Sequence, residues 1–581
     1  MKSLCNGTSR TVGVALSLAF LLQLAGCVVE WPISKEVYTT AEQQVLPVAV
    51  SPDTQKITPS QVALYEQLGY SDWLVGGGTN YSTDPNHPQP YDKRTELAPA
   101  HTDAPGAARL LSFFTMSDIH IADKESPAQP LYVGWAAPYG APNSCGSAYS
   151  PVILSTTQVL DAAVQTINAL HKKTPFDFGI SLGDDTNNSQ YNELRWFIDV
   201  LDGKVITPSS GAHDGADRID YQRPYKAAGL DREIPWYQTV GNHDQFWMGS
   251  CYEDVKTMQA HIGNTVLNMI NSPIPVPDGV DLYGAYMGVV DGSTPLGDVI
   301  KAGPQEDFDV PPTVVADENR HTLATATSTT LNWMKEFFNT TSNPVGHGFT
   351  QANLDSDFAC YSFEPKSDIP LKIIVLDDTC KGDGQANYAA GCLDQAREDW
   401  LRSELDEGQN NGKLMIIAAH IPILPQKDLN DTTITPLSAM DAEKLLNDLH
   451  AYTNLILWIS GHRHVNVVTP QPSPDAAVPE QGFWEVETSS LRDFPQQFRT
   501  FDIRRNTDNT ISIFVTDVDP AVREGSPAAK SRGYAVGAAR IFAATPDSIA
   551  DTTSHAYNAE LVKQLTPAMQ VVIANCGTPI E

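Results

Sequence analysis

No two of the eight cysteines stand in a Cys-x-x-Cys pair, so a zinc site built on closely spaced thiolates is not expected. Basic residues are scarce, with 38 Lys and Arg against 70 Asp and Glu and a formal net charge of −32. Neutralising a nucleic-acid backbone needs the opposite balance, so duplex nucleic acid is excluded as a partner. Such charge serves instead to keep an exported protein soluble. Beyond the N-terminus no apolar run approaches the roughly 20 residues that a membrane helix requires. No internal repeat is visible, and 41% hydrophobic residues in 581 are ample for one large elaborated domain or for two or three smaller ones.

The N-terminus reads as an export signal over residues 1–26. Lys2 and Arg10 give a positive start, and Val12 to Leu22 form a short apolar core. Leu24-Ala25-Gly26-Cys27 then resembles the cleavage box of bacterial lipoproteins, which makes Cys27 the expected lipidation site. The resemblance implies an exported protein anchored to the cell envelope by acyl chains, in the outer membrane or periplasm of a Gram-negative cell. Residues 1–26 carry two basic and no acidic side chains, so their removal takes −32 to −34. Cys145, Cys251, Cys360, Cys380, Cys392 and Cys576 then remain. An oxidising compartment allows up to three disulfides among them. Cys380 with Cys392 is the first expected pair, because Gly382, Gly384 and Gly391 let a short loop close.

Residues 27–107 look like an extension rich in proline, threonine and glycine, and 519–581 like a second, partly helical one, with helix expected over His555 to Leu565. Between them, 108–518 alternate strands and helices, which predicts an α/β layered domain. Expected strands include Leu110 to Met116, Phe176 to Leu182, Pro235 to Val240, Leu371 to Leu376, Leu414 to Ala419 and Leu455 to Ile459. Residues 247–370 interrupt this pattern as an insertion or cap beside the site.

Each of five polar motifs sits just past one of these strands, where open α/β sheets place ligand sites. They are Asp118-Ile119-His120, Gly183-Asp184-Asp185, Gly241-Asn242-His243-Asp244, the lone His420, and Gly461-His462-Arg463-His464. Singly, each has a plain reading: His420 as a structural histidine, Asp184 and Asp185 as helix caps, Gly241 to Asp244 as a turn. Together they supply carboxylate, carboxamide and imidazole groups in numbers that suit two adjacent divalent ions.

The ordered series Asp-x-His, Gly-Asp, Gly-Asn-His-Asp, His and Gly-His-x-His resembles the calcineurin-like metallophosphoesterase superfamily. The resemblance covers roughly residues 109 to 518 and implies a four-layer α/β/β/α sandwich with two mixed sheets, plus insertions. It implies that Asp118, His120, Asp184 and His464 hold one ion, and that Asp184, Asn242, His420 and His462 hold the other, with Asp184 bridging. It further implies that His243 binds the phosphate or protonates the leaving oxygen, and that Asp244 orients the His243 ring. Arg463 is either a phosphate ligand or a salt-bridge partner, and Asn187 contacts phosphate or a water. A tyrosine three residues after the bridging aspartate marks purple acid phosphatases. Asn187 stands there instead, so no tyrosinate–iron colour is expected. The donor set accepts Mn, Zn or Fe.

The expected activity is phosphoester hydrolysis by a hydroxide shared between the two ions, with a diester preferred over a monoester. The substrate class is a small-molecule phosphoester or a lipid headgroup. The alternative is a non-catalytic surface lipoprotein with a structural metal pair and a partner-binding insertion. Against it stands His243, which such a pair does not need.

Overall fold

Largely apolar pentads such as Leu-Lys-Ile-Ile-Val and Leu-Met-Ile-Ile-Ala become fully buried parallel strands, as expected for a sheet covered on both faces. The computed structural model describes residues 28–51, 53–57, 61–76, 91–103, 105–133, 151–264, 285–287, 290, 292, 295–297, 314–325, 328–381, 388–423, 442–542 and 558–580. The expected signal segment, Cys27, Cys145 and most of 265–313 lie outside the described residues.

In chain order the elements that position the site are β1 (Asp92–Leu97), β2 (Ala108–Met116), α1 (Thr156–Lys173), β3 (Phe178–Ser181), α2 (Tyr191–Leu201), β4 (Trp236–Gln238), β5 (Tyr361–Phe363), β6 (Leu371–Val375), α3 (Gln395–Asn410), β7 (Leu414–Ala418), α4 (Ala442–Leu449), β8 (Leu455–Ser460), β9 (Val467–Gln471), β10 (Phe483–Glu487), β11 (Phe498–Arg505), β12 (Thr510–Val518), α5 (Pro527–Phe542) and β13 (Ala559–Gln564). The first sheet runs β1-β13-β12-β11-β2-β3-β4. Strands β2, β3 and β4 are parallel, and β11 joins β2 antiparallel. The second sheet runs β5-β6-β7-β8-β10-β9. Its four inner strands are parallel, and each edge strand is antiparallel to its neighbour. The fold is therefore mixed α/β with two mixed sheets.

One apolar cluster takes Phe113, Phe178 and Val515 from the first sheet and Ile373, Ile416 and Trp484 from the second. It also takes Leu160, Val164 and Ile167 of α1, whose spacing gives the helix one apolar stripe. A second cluster packs Ile374, Ile417 and Trp458 against Leu401 and Leu405 of α3 and Leu445 and Leu449 of α4.

Register lines up three rings across the first sheet. Phe113 pairs with Phe178 and with Phe501, and it stacks on both, with centroids 4.8 and 4.6 Å away. Phe113 is fully buried, so Phe113→Ala is expected to destabilise the fold by about 3–5 kcal/mol in a urea titration.

The structure departs from the sequence reading in the two extensions. Ala559–Gln564, expected to be helical, is strand β13, held antiparallel to β12 and parallel to β1. Its Ala, Glu, Leu, Lys and Gln favour helix in isolation, and pairing on both sides overrides that preference. Each extension thus gives the first sheet a strand, β1 from the N-terminal one and β13 from the C-terminal one. The far end of the 247–370 stretch is likewise built in. Trp333, Met334, Phe337 and Phe349 join the main core, and β5 forms a sheet edge. The described cysteines are all thiols. Cys380 and Cys392 lie side by side in hydrogen-bond contact, across the Thr379–Gly391 bridge. No described helix is long and apolar enough to cross a membrane.

Candidate metal centre

The first sheet delivers Asp118 and His120 after β2, Asp184 after β3, and Asn242 and His243 after β4. The second delivers His420 after β7, and His462 and His464 after β8. Backbone bonds fasten the two sets together. His420 Nδ1 donates to Leu182 O at 2.8 Å, and His462 N donates to Asp118 Oδ2 at 2.9 Å.

All seven expected metal ligands converge. Asp118, His120 and His464 bring one donor atom each to within 4.8 Å of one another, as do Asp184, His420 and His462. Asp118 Oδ2 is occupied by Ser117 Oγ at 2.5 Å and by the His462 amide. Its Oδ1 is buried without a hydrogen bond and lies 3.2 Å from His464 Nε2. His120 Nε2 lies 3.2 Å from His464 Nε2. Asn242 donates Nδ2 to Gly249 O at 2.9 Å, which turns Oδ1 towards His420 Nε2 (3.0 Å) and His462 Nδ1 (3.2 Å).

Asp184 joins the two groups through a single oxygen. Oδ1 accepts the His243 amide at 2.8 Å. Oδ2 lies 3.6 Å from His120 Nε2 and 3.3 Å from His420 Nε2. Converging buried carboxylate and imidazole atoms of this kind fit two divalent cations that share Asp184. Asp118 Oδ1 is a buried carboxylate oxygen, costly unless a positive charge, His464 or a metal ion, meets it.

Five of the seven converging residues have left-handed backbone: Asp118 (φ 52°), His120 (46°), Asp184 (55°), His462 (74°) and His464 (57°). Each such residue costs of order 1–3 kcal/mol and persists only where its surroundings over-determine it. Close approach explains one motif glycine in particular. A Cβ on Gly461 would overlap Ser117 Oγ and press on Asp118 Oδ2, so only glycine lets the two metal loops meet.

His243 is placed by Asn187, which the sequence reading named only as a contact for phosphate or a water. Its Nδ1–H donates to Asn187 O at 2.8 Å, and its ring meets the His120 ring edge-on at 4.4 Å. The expectation that Asp244 orients this ring is corrected. Asp244 accepts the amides of Asp184, Asp185, Thr186 and Gly241, because four convergent N–H groups hold a buried carboxylate better than one imidazole. It clamps the β3 and β4 loops together. Arg463 makes paired bonds to buried Glu487 through Nε and Nη2, so the structure places it as an ion-pair partner. The Asn187 side chain is engaged by Gln129 and Arg492.

Burial works against charge on the histidines, and the carboxylates overcome it at two of them. His420 is raised to about 10, burial opposing and Asp184 dominating. His464 is raised to about 9, burial opposing and Asp118 and Asp493 dominating. His462 falls to about 3 through burial and the neighbouring His420 charge. Asp184 is held far below the usual carboxylate range, burial being outweighed by His420 and His243. The centre thus stabilises positive charge where divalent ions would sit.

Four supporting residues escaped the sequence reading. Asp493 Oδ2 accepts His464 Nδ1–H at 2.7 Å, Asp378 accepts the amides of His420 and Ile421, and Glu193 accepts those of Asp123, Asn187 and Asn188. Arg492 bonds to Asp493 and Asn187. The signal for Arg492 and Asp493 was their place in the turn a few residues past strand β10, the strand-end rule that also marks the expected metal ligands.

No protein-family model matches the sequence, and no curated protein matches it. Among solved structures, a dimetal phosphatase from Danio rerio is similar at 10% sequence identity and a TM-score of 0.35, over 71% of this chain and 100% of that one.

Proposed function

We propose that this chain is a dinuclear metal-dependent phosphoesterase. The observation that carries the reading is Asp184 Oδ2, set between His120 and His420 so that two donor groups share one atom. Asp118, His120, Asp184 and His464 would hold one ion, and Asp184, Asn242, His420 and His462 the other. Such a pair acidifies water and offsets charge building on a phosphoryl group. The protein supplies the rest. Asn187 fixes the His243 ring, which leaves Nε2 to carry the proton for a departing oxygen. The third donor group, His120 with Asp184 and His243, puts that ring at the edge of the centre rather than outside it.

The same reading assigns a metallophosphoesterase-type four-layer α/β/β/α sandwich. It assigns a phosphodiester substrate in preference to a monoester, drawn from small molecules or lipid headgroups. Leu24 to Cys27 supports export with a lipid anchor in the envelope, and intact mass of the mature N-terminal peptide would show the acyl chains or their absence.

The test uses the full mature chain, stripped of metal and reloaded separately with Mn²⁺, Zn²⁺ and Fe²⁺. Two ions per chain and metal-dependent hydrolysis of bis-p-nitrophenyl phosphate, faster than of p-nitrophenyl phosphate, are expected. Fewer than two ions together with no hydrolysis of either ester would overturn the reading.

A further inference from the structure

Arg492 is fully buried and lies in the turn that follows β10. That turn is strapped to the first metal loop, since Ser490 Oγ donates to Asp118 O at 2.7 Å and Leu491 N to Ser117 O at 3.2 Å. The guanidinium reaches two ways. Nε and Nη2 donate to Asp493 Oδ2 at 3.3 and 3.0 Å, the same oxygen that accepts His464 Nδ1–H. Nη1 donates to Asn187 Oδ1 at 3.0 Å.

Asn187 is a hub. Its amide donates to Glu193, its Nδ2 donates to Gln129, and its carbonyl takes the His243 Nδ1–H. One guanidinium therefore spans from the carboxylate behind a metal-ligand histidine to the residue behind the proton-carrying histidine. Its nitrogens are spent on protein partners and its side chain is out of solvent, so contact with substrate does not explain it. A planar fork with donors on two edges suits this span, and a lysine ammonium does not.

We propose that Arg492 is a positioning residue that ties Asp493, and so His464, to Asn187, and so His243. The tie sets the leaving-group histidine at a fixed place relative to the first metal group. The inference deepens the phosphoesterase reading and rests on it.

The test compares wild type with Arg492→Met and Arg492→Lys, each as the full mature chain. In metal-free crystals of Arg492→Met, the His243–Asn187 hydrogen bond is expected to be broken while Asp118, Asp184 and His420 stay in place. Elemental analysis should still find two ions per chain after reloading. The rate on an alkyl phosphoester, whose leaving oxygen needs a proton, should fall about 10²-fold, and that on the p-nitrophenyl ester only a few-fold. Arg492→Lys should show the same pattern more weakly. An unchanged His243–Asn187 bond, or equal losses on both esters in both variants, would overturn the tie. A wild type inactive on every ester would defeat the phosphoesterase reading, and the crystal comparison would still decide whether Arg492 holds His243 in place.

Discussion

Asp184→Asn is expected to abolish phosphoester hydrolysis to the limit of detection, a loss of at least about 10³-fold. The oxygen at issue is Oδ2, which faces donors of both groups. An amide there offers either a neutral oxygen or an N–H₂ pointing at two cations, and neither balances two divalent charges. Elemental analysis should show fewer than two ions per chain. The loss should stay local. Asparagine tolerates the left-handed backbone at φ 55°, and a side-chain oxygen can still accept the His243 amide. Circular dichroism should therefore match wild type, while the thermal midpoint falls with the lost ion and the lost Asp184–His420 charge pair. Retention of both ions with a rate within about tenfold of wild type would refute the shared-ligand assignment.

His243→Ala carries the second large effect. Loss of a positioned proton donor typically costs 10²–10⁴-fold, and the expected pattern depends on the ester. An alkoxide leaving group, a poor one, should suffer the full loss, whereas p-nitrophenolate departs without protonation and should lose far less. Metal content decides between two roles. His243 sits near His120 and Asp184, so a drop in bound metal would make it a ligand. Two ions retained alongside a leaving-group-dependent defect identify it as the acid.

The seven converging residues were legible because each stands just after an apolar strand, and strand ends in an α/β sheet converge. Local sequence thus located Asp118, Asp184 and His420 without long-range information. The partners behind them were harder to read. That the His243 ring bonds to Asn187 O is a main-chain contact, which residue identity does not encode. The resemblance implied Asp244 as a ring partner, yet the amides that surround it come from two loops. Arg463 was undecided until Glu487, brought near by the pairing of β10 with β8 and β9, took its guanidinium. Strand β13 was misread for the same reason: its helix-favouring residues are overruled by β12 and β1, one of them remote in the chain.

The left-handed backbone at five ligand positions bears on protein engineering. Copying the seven side chains onto an ordinary helix or strand scaffold would aim them wrongly, because their Cα–Cβ vectors depend on φ values that such scaffolds do not provide. The transplantable unit is the set of whole loops with their close-packed glycines, carried together with the two sheet edges from which they emerge.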